Sequence, residues 1–401
     1  MKKTLIALAV LAASGAAMSQ VTVTGLLAMG YKATKAGNNA GTESSGLGVD
    51  TSVVYFTVKE DLGGGQKVEA LLGVGGLDRS GESSSKYGVT GSNGPATGRD
   101  ASLTYTNAAF GQIQLATLER PDFFSSYATG AIGAGTASVA GAGAPVIDMD
   151  NKLHEYKKVT DQIRYAVPLG PVTVALTHTE DFTTAGMGLG VGAAGQTKQR
   201  SNILSGLFKS GPLTLAAGYR NYDNRIEGGC VAAAPALAFA ACPALQLTKD
   251  SLYNLQGAFD LGMAKIGVGY QDVSATNGMH QKDSMISLSM PLGALTLGAA
   301  WSRSETADAP NTSPFLGGLW KAKDYEGTAN GYSVGVSYAM SKRTSVLARH
   351  AAWTTSGYVQ YEQDAVNARA TLASGRSAFN NAGLNYNSTA SETSLLLVHT
   401  F

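Results

Sequence analysis

The chain has little of what most catalytic and metal-binding folds rely on. Of its 401 residues only 2 are cysteine and 5 are histidine, and 15% are charged, against roughly 25% in ordinary soluble domains. No apolar run reaches the ~20 residues of a membrane-spanning helix. The few histidines (His154, His178, His280, His350 and His399) do not pair along any strand-like segment, and no nucleophile motif accompanies them. A catalytic site needs a nucleophile, a base and an orienting group within reach of one another, so the reading is not an enzyme. The same scatter argues against a metal centre, and no cofactor is expected. Asp61-Leu62-Gly63-Gly64-Gly65 lacks the Lys-Ser/Thr and following helix of a phosphate loop, and reads as a hairpin turn.

Charge of one sign is also missing. Lys+Arg total 30 and Asp+Glu 29. The first residues form a secretory signal peptide: Lys2 and Lys3, an apolar stretch Thr4 to Ala13, then small residues in Ala17-Met18-Ser19. Cleavage before Gln20 removes both lysines and takes the formal charge from +1 to −1. A near-neutral exported chain has no field with which to gather nucleic acid. Cys230 and Cys242 lie in one segment, and export to an oxidising compartment favours a local disulfide between them over two free thiols.

What is abundant is glycine, 50 residues, and tyrosine, 17. They recur in segments of about ten residues that alternate two kinds of side chain. Leu213, Leu215, Ala217 and Tyr219 alternate with Thr214, Ala216, Gly218 and Arg220. Ala264, Ile266, Val268 and Tyr270 alternate with Lys265, Gly267, Gly269 and Gln271. The stretches 295–302 and 332–338 repeat the theme, ending in Trp301 and Tyr338. A period of two means strands. One face is apolar and ends in aromatics; the other reads as small and polar throughout. That polarity suits a barrel whose outside meets lipid, and closure is required because lipid offers an open edge no hydrogen-bonding partner.

The connections alternate too. Tight ones at 61–65, 107–111, 168–171, 210–212, 260–262, 291–293 and 341–342 carry glycine, proline, asparagine or serine for turn dihedrals. Long ones fall near 32–47, 76–98, 120–158, 180–200, 221–250, 272–282, 304–329 and 356–388. Fifteen connections join sixteen strands, expected at 21–31, 50–60, 66–75, 99–106, 112–119, 160–167, 172–179, 201–209, 212–220, 251–259, 263–271, 283–290, 294–303, 330–339, 343–354 and 390–401, the second and eighth being the least regular. The expected fold is all-β: a 16-stranded antiparallel transmembrane β-barrel over 20–401, with short periplasmic turns and long extracellular loops, wide enough for an aqueous lumen. Length alone suggests two or three domains, but this alternation leaves no boundary for a second.

Six stretches stand out: Phe56-Thr57-Val58-Lys59-Glu60-Asp61-Leu62-Gly63, Gly98-Arg99-Asp100-Ala101, Phe110-Gly111-Gln112-Ile113, Gln162-Ile163-Arg164-Tyr165, Tyr338-Ala339-Met340-Ser341-Lys342-Arg343-Thr344 and the terminal Phe401. They resemble motifs of the Gram-negative outer-membrane general porins, in particular the trimeric porins of beta-proteobacteria. The resemblance covers the whole chain. It departs at Thr57, where the family usually has a basic residue, and at Arg120, displaced from the end of the fifth strand. It implies a homotrimeric diffusion channel for small solutes and ions, seated among outer-membrane lipid and lipopolysaccharide. It implies that Phe401 is the signal read by the barrel-assembly machinery, and that the third long loop, about 120–158, folds inward as a constriction.

A pore that sorts solutes needs opposed charges at its narrowest section. Acids on the third loop and its ends are Glu119, Asp122, Asp148, Asp150 and Glu155, with Arg120 beside them. Wall bases with inward phase are Lys59, Lys67, Arg99 and Arg164; the bland reading of the same residues is pairing that only pins the loop base. Arg220, Lys265 and Arg349 also have inward phase. The apolar stretch 231–247 suits a packed cap better than a solvated loop. The alternative functions are a channel selective for anionic or aromatic nutrients, and a plugged barrel acting as adhesin or receptor.

Overall fold

The computed structural model describes residues 20–35, 43–75, 97–118, 160–182, 196–227, 249–275, 280–309, 325–357 and 388–401. Among them are sixteen strands: β1 Gln20–Lys35, β2 Glu43–Gly63, β3 Gln66–Gly75, β4 Thr97–Asn107, β5 Gly111–Leu118, β6 Thr160–Leu169, β7 Val172–Phe182 and β8 Gln196–Ser210, then β9 Leu213–Glu227, β10 Lys249–Asp260, β11 Lys265–Ala275, β12 His280–Leu292, β13 Leu295–Ala309, β14 Tyr325–Ala339, β15 Thr344–Gly357 and β16 Ser388–Thr400. Each pairs antiparallel with its neighbours in sequence, and β1 pairs with β16, so the sheet closes into a barrel.

The tight turns gather at one rim. Their chemistry repeats: Asp61 Oδ1 accepts the Gly63 N–H at 2.9 Å, and Asp260 Oδ1 accepts the Gly262 N–H at 2.8 Å. Both glycines sit at φ +80°, a conformation that residues with a Cβ rarely adopt. At the opposite rim the strands outrun the alternating pattern. β2 begins at Glu43 rather than 50, β9 continues to Glu227 rather than 220, and β13 to Ala309 rather than 303. These overhangs (ESSGLGV and NYDNRIE in the first two) have no consistently apolar face, so they carry no period-two signal although the ladder pairing persists.

The expectation that β8 is irregular fails: its ladders to β7 and β9 run without a register shift. Apolar residues on both of its faces, Ile203 and Leu207 against Leu204 and Phe208, blur the pattern. β2 is irregular, with a bulge opposite Ala28 and Met29 that leaves Asp50 as the extra residue, the ordinary two-against-one count of a β-bulge.

The outward face is the expected apolar one. Leu215, Val268, Ile286, Leu297, Val334 and Leu397 are 37–52% exposed, and only lipid makes that arrangement favourable. Toward the long-connection rim this face ends in aromatics: Tyr219 and Tyr253 lie with ring centroids 4.8 Å apart, and Trp301 pairs with Tyr332 across the ladder. The inward face alternates with it and includes Ser201, Gln256, Gln271, Asp283, Ser302, Ser333 and Arg349, all buried.

One part of the sequence reading needs correction, because the inner face is not polar throughout. Ala28, Leu347, Leu396 and Val398 form a buried inward cluster backed by Leu26, and Ile203, Tyr222, Leu252 and Val273 form a second. Neighbouring strands place these apolar residues side by side. They shield one another from water, so a wet lumen does not forbid them.

Candidate functional site

The functional surface of such a barrel is its inner wall. Four charged residues meet where the chain's two ends are joined, on β1, β2, β15 and β16. Lys32 Nζ stands 2.9 Å from Asp50 Oδ1 and 3.2 Å from Glu392 Oε1. Arg349 Nη2 reaches the same two oxygens at 3.4 and 3.5 Å. β15 and β2 are separated by β16 and β1, which at ~4.8 Å per strand is about 14 Å around the wall. Side chains bridge that span only on the concave side, so the contact itself fixes this face as the interior. Arg349, Asp50 and Glu392 have side chains 1%, 7% and 4% exposed; that of Lys32 is 33% exposed.

Further round the wall the polar groups are bonded across strands. Arg220 Nε donates to Ser201 Oγ at 2.7 Å and its Nη2 to Thr179 Oγ1 at 3.3 Å. Its guanidinium lies 4.5 Å from the Tyr222 ring centroid, a cation–π distance. Gln256 donates to Asn254, Asn254 to Gln271 and Gln271 to Asp283, at 2.9, 3.2 and 3.3 Å. On β4, β5 and β6 the run is Gln162 to Gln114 and Gln114 to Thr104, each at 3.2 Å. Buried polar groups are costly without partners, and these rows show how a polar wall packs.

The expected constriction residues divide. Lys59 and Lys67 both have the inward phase, near the tight-turn rim. Lys59 pairs with Glu69 on β3 at 2.9 Å, and Lys67 is the second residue of β3. Arg164 points inward on β6 and donates to Gln112 Oε1 at 3.3 Å. Arg99 lies in β4 beside a register shift against Leu72 and Val74. Glu119, Arg120, Asp122, Asp148, Asp150 and Glu155 lie outside the described residues, as do Cys230, Cys242, His154 and the stretch 231–247. Of the other expected lumen cations, Arg220 and Arg349 are inward and buried, and Lys265 begins β11.

Three of the four residues at the seam, Lys32, Asp50 and Glu392, were missed. Lys32 lies just beyond the expected end of the first strand, and Asp50 is a bulge residue whose direction simple alternation does not give. Glu392 was legible, since it shares the phase opposite Leu395 and Leu397. His178, His350 and His399 belong to the outer surface. His178 Nδ1 pairs with Asn202 Oδ1 at 2.8 Å, His350 with Thr393 Oγ1 at 2.8 Å and His399 with Thr344 Oγ1 at 2.9 Å. They lie on three different strands, β7, β15 and β16. Phe401 closes the barrel: its N–H donates to Gly25 O at 3.1 Å and its carbonyl accepts the Gly25 N–H at 2.9 Å.

Comparison with known proteins agrees with this geometry. A family model described as Gram-negative porin matches residues 4–358. No curated protein sequence matches. Among solved structures, the outer membrane channel DcaP of Acinetobacter baumannii is similar with a TM-score of 0.59 and 12% identity, over 96% of this chain and 97% of that one. The trimer form of OmpT, an outer membrane protein of Vibrio cholerae, gives 0.56 and 14%, over 96% and 99%. A mutant of the Rh. blastica porin gives 0.52 and 12%, over 95% and 100%. At these identities the structures speak for the fold; the family match extends over most of the sequence. With a closed sixteen-strand wall, apolar outside and polar within, the chain belongs to the Gram-negative porins and forms a channel in the outer membrane.

Proposed function

We propose that the channel passes small hydrophilic solutes and ions by passive diffusion, as a homotrimer, after export and removal of residues 1–19. The observation that carries this reading is the inner wall, where cations are matched locally. Lys32 and Arg349 face Asp50 and Glu392, and Lys59 faces Glu69, while Arg164 and Arg220 donate to Gln112 and Ser201. Pairing of bases with acids along the wall weakens the field it presents to either sign of ion. A trimer form is known for the Vibrio cholerae relative by its description. In this reading Glu119, Asp122, Asp148 and Asp150 on the stretch 120–158 narrow the lumen against Arg99, Arg164, Lys59 and Lys67, with Arg120 at the loop's base, and Phe401 directs assembly. Small residues suit the middle of that stretch, where backbone must pass inside a crowded lumen.

Planar-bilayer recording of the purified protein tests it. Open steps in multiples of three, with weak ion preference, are expected. Block of the steps by one solute class would replace this reading with a selective channel, and absence of conductance would replace it with a plugged barrel.

A further inference from the structure

We propose that the four-residue cluster of Lys32, Asp50, Arg349 and Glu392 holds the charge preference of the channel in balance, with Lys32 as the group that solutes meet. The inference rests on the channel reading above and names side chains that act in it.

The cluster is built as an alternating square. Each of its two cations touches both acids, and each acid presents one oxygen to both cations: Asp50 Oδ1 and Glu392 Oε1. Its formal charge is zero. Arg349 is sealed in the wall, with its side chain 1% exposed, and the carboxylates are nearly so at 7% and 4%. Lys32, at 33%, is the member that touches the lumen. Its ammonium is held by two acids that already serve a buried guanidinium, so the wall here offers a solute a neutralised amine. Any single substitution that removes one charge unbalances the square, and its sign follows from which charge is lost. Without Glu392 the site carries a net positive charge and Lys32 has one acid fewer to hold it. Without Lys32 the two acids face a single cation and the site becomes net negative.

The reach is set by distance and screening. A unit charge at the wall of a sixteen-strand barrel acts on ions about 10 Å away, close to the Debye length at 0.1 M salt. A roughly two-fold change in the anion-to-cation permeability ratio is expected there, fading toward 1 M, where screening acts within about 3 Å.

The test is the reversal potential in a tenfold KCl gradient for wild type, Glu392→Gln and Lys32→Gln, each shown to be a folded barrel by heat-modifiable gel mobility. Glu43→Gln is the control. It removes the same charge from a carboxylate that pairs with Lys35 at 2.9 Å on exposed side chains at the long-connection rim. Expected are a shift toward anions for Glu392→Gln, toward cations for Lys32→Gln, and none for Glu43→Gln. Unchanged potentials in both cluster variants would overturn the proposal, as would shifts of the same sign, or a Glu43→Gln shift as large as theirs. If Glu392→Gln does not fold, Lys32→Gln decides alone, because Lys32 stands at the exposed edge of the cluster. A wild-type protein that folds but does not conduct would overturn the channel reading instead.

Discussion

Burial, rather than contact distance, should rank the four charges at the seam by their effect on stability. Arg349 makes the longer contacts, 3.4 and 3.5 Å, and Lys32 the shorter ones, 2.9 and 3.2 Å. By distance alone Lys32→Met should be the worse substitution. Water reverses the order. Lys32 is one third exposed, so its attraction to the acids is screened, and about 1 kcal/mol is the expected loss. Replacing Arg349 with Met leaves two buried carboxylates sharing one ammonium, and breaking a buried pair in this way costs about 3–5 kcal/mol. The long geometry places the expected loss at the lower end, about 3 kcal/mol. Barrels of this kind often unfold irreversibly, so the assay is a rate: the half-time of the folded gel band at a fixed elevated temperature. If the loss is felt mostly in unfolding, 3 kcal/mol corresponds to roughly a hundred-fold shorter half-time, and 1 kcal/mol to roughly five-fold. Adding Glu392→Leu to Arg349→Met should recover part of the loss, because it restores the charge balance. If Lys32→Met proves the more damaging single change, the assignment of a dry interior to this cluster is wrong.

Three further outcomes follow from other parts of the wall. A Cβ added at Gly30 would stand 2.0 Å from the Leu395 carbonyl oxygen, whereas the tightest contact of one at Gly257 would be the Leu215 methyl at 3.0 Å. Gly30→Ala should therefore abolish the heat-modifiable band while Gly257→Ala keeps it. Val334, 45% exposed on the outer face, should tolerate Leu, whereas Val334→Arg should cost about 2–4 kcal/mol, read from denaturant unfolding in detergent or vesicles. If Cys230 and Cys242 are bridged, reductant should slow the unfolded monomer on a gel, and a Cys230→Ser variant should run at the slower position with or without it.

The barrel was legible because its physics is repetitive. Each membrane-crossing segment must alternate, and each turn at the tight rim needs residues such as Asp61-Leu62-Gly63 or Asp260-Leu261-Gly262 that adopt its dihedrals. Alternation also gave the inward phase of Lys59, Arg164, Arg220 and Arg349, whose partners include Glu69, Gln112, Ser201 and Glu392. Three kinds of information were not available to that reasoning. Above the apolar belt neither face is consistently apolar, so Lys32 fell outside its strand's expected end and Asp50 sat at a bulge that breaks the period. Contact across the closed seam brings Asp50 to Arg349, 299 residues away, and nothing local in the sequence marks that meeting. Height along the strand was the third gap: the alternation that turns Lys67 inward says nothing of its place one residue inside the tight-turn rim.

The pairing of Gly25 with Phe401, and of β1 with β16 along the whole seam, has a consequence in time. Every other ladder joins strands adjacent in sequence. The closing ladder joins the two strands farthest apart in the chain, so it cannot form until both are in place. Until then both flanking edges expose unmet amides that an acyl chain cannot satisfy. A barrel without β16 is thus left with an open border whose amides the bilayer cannot satisfy.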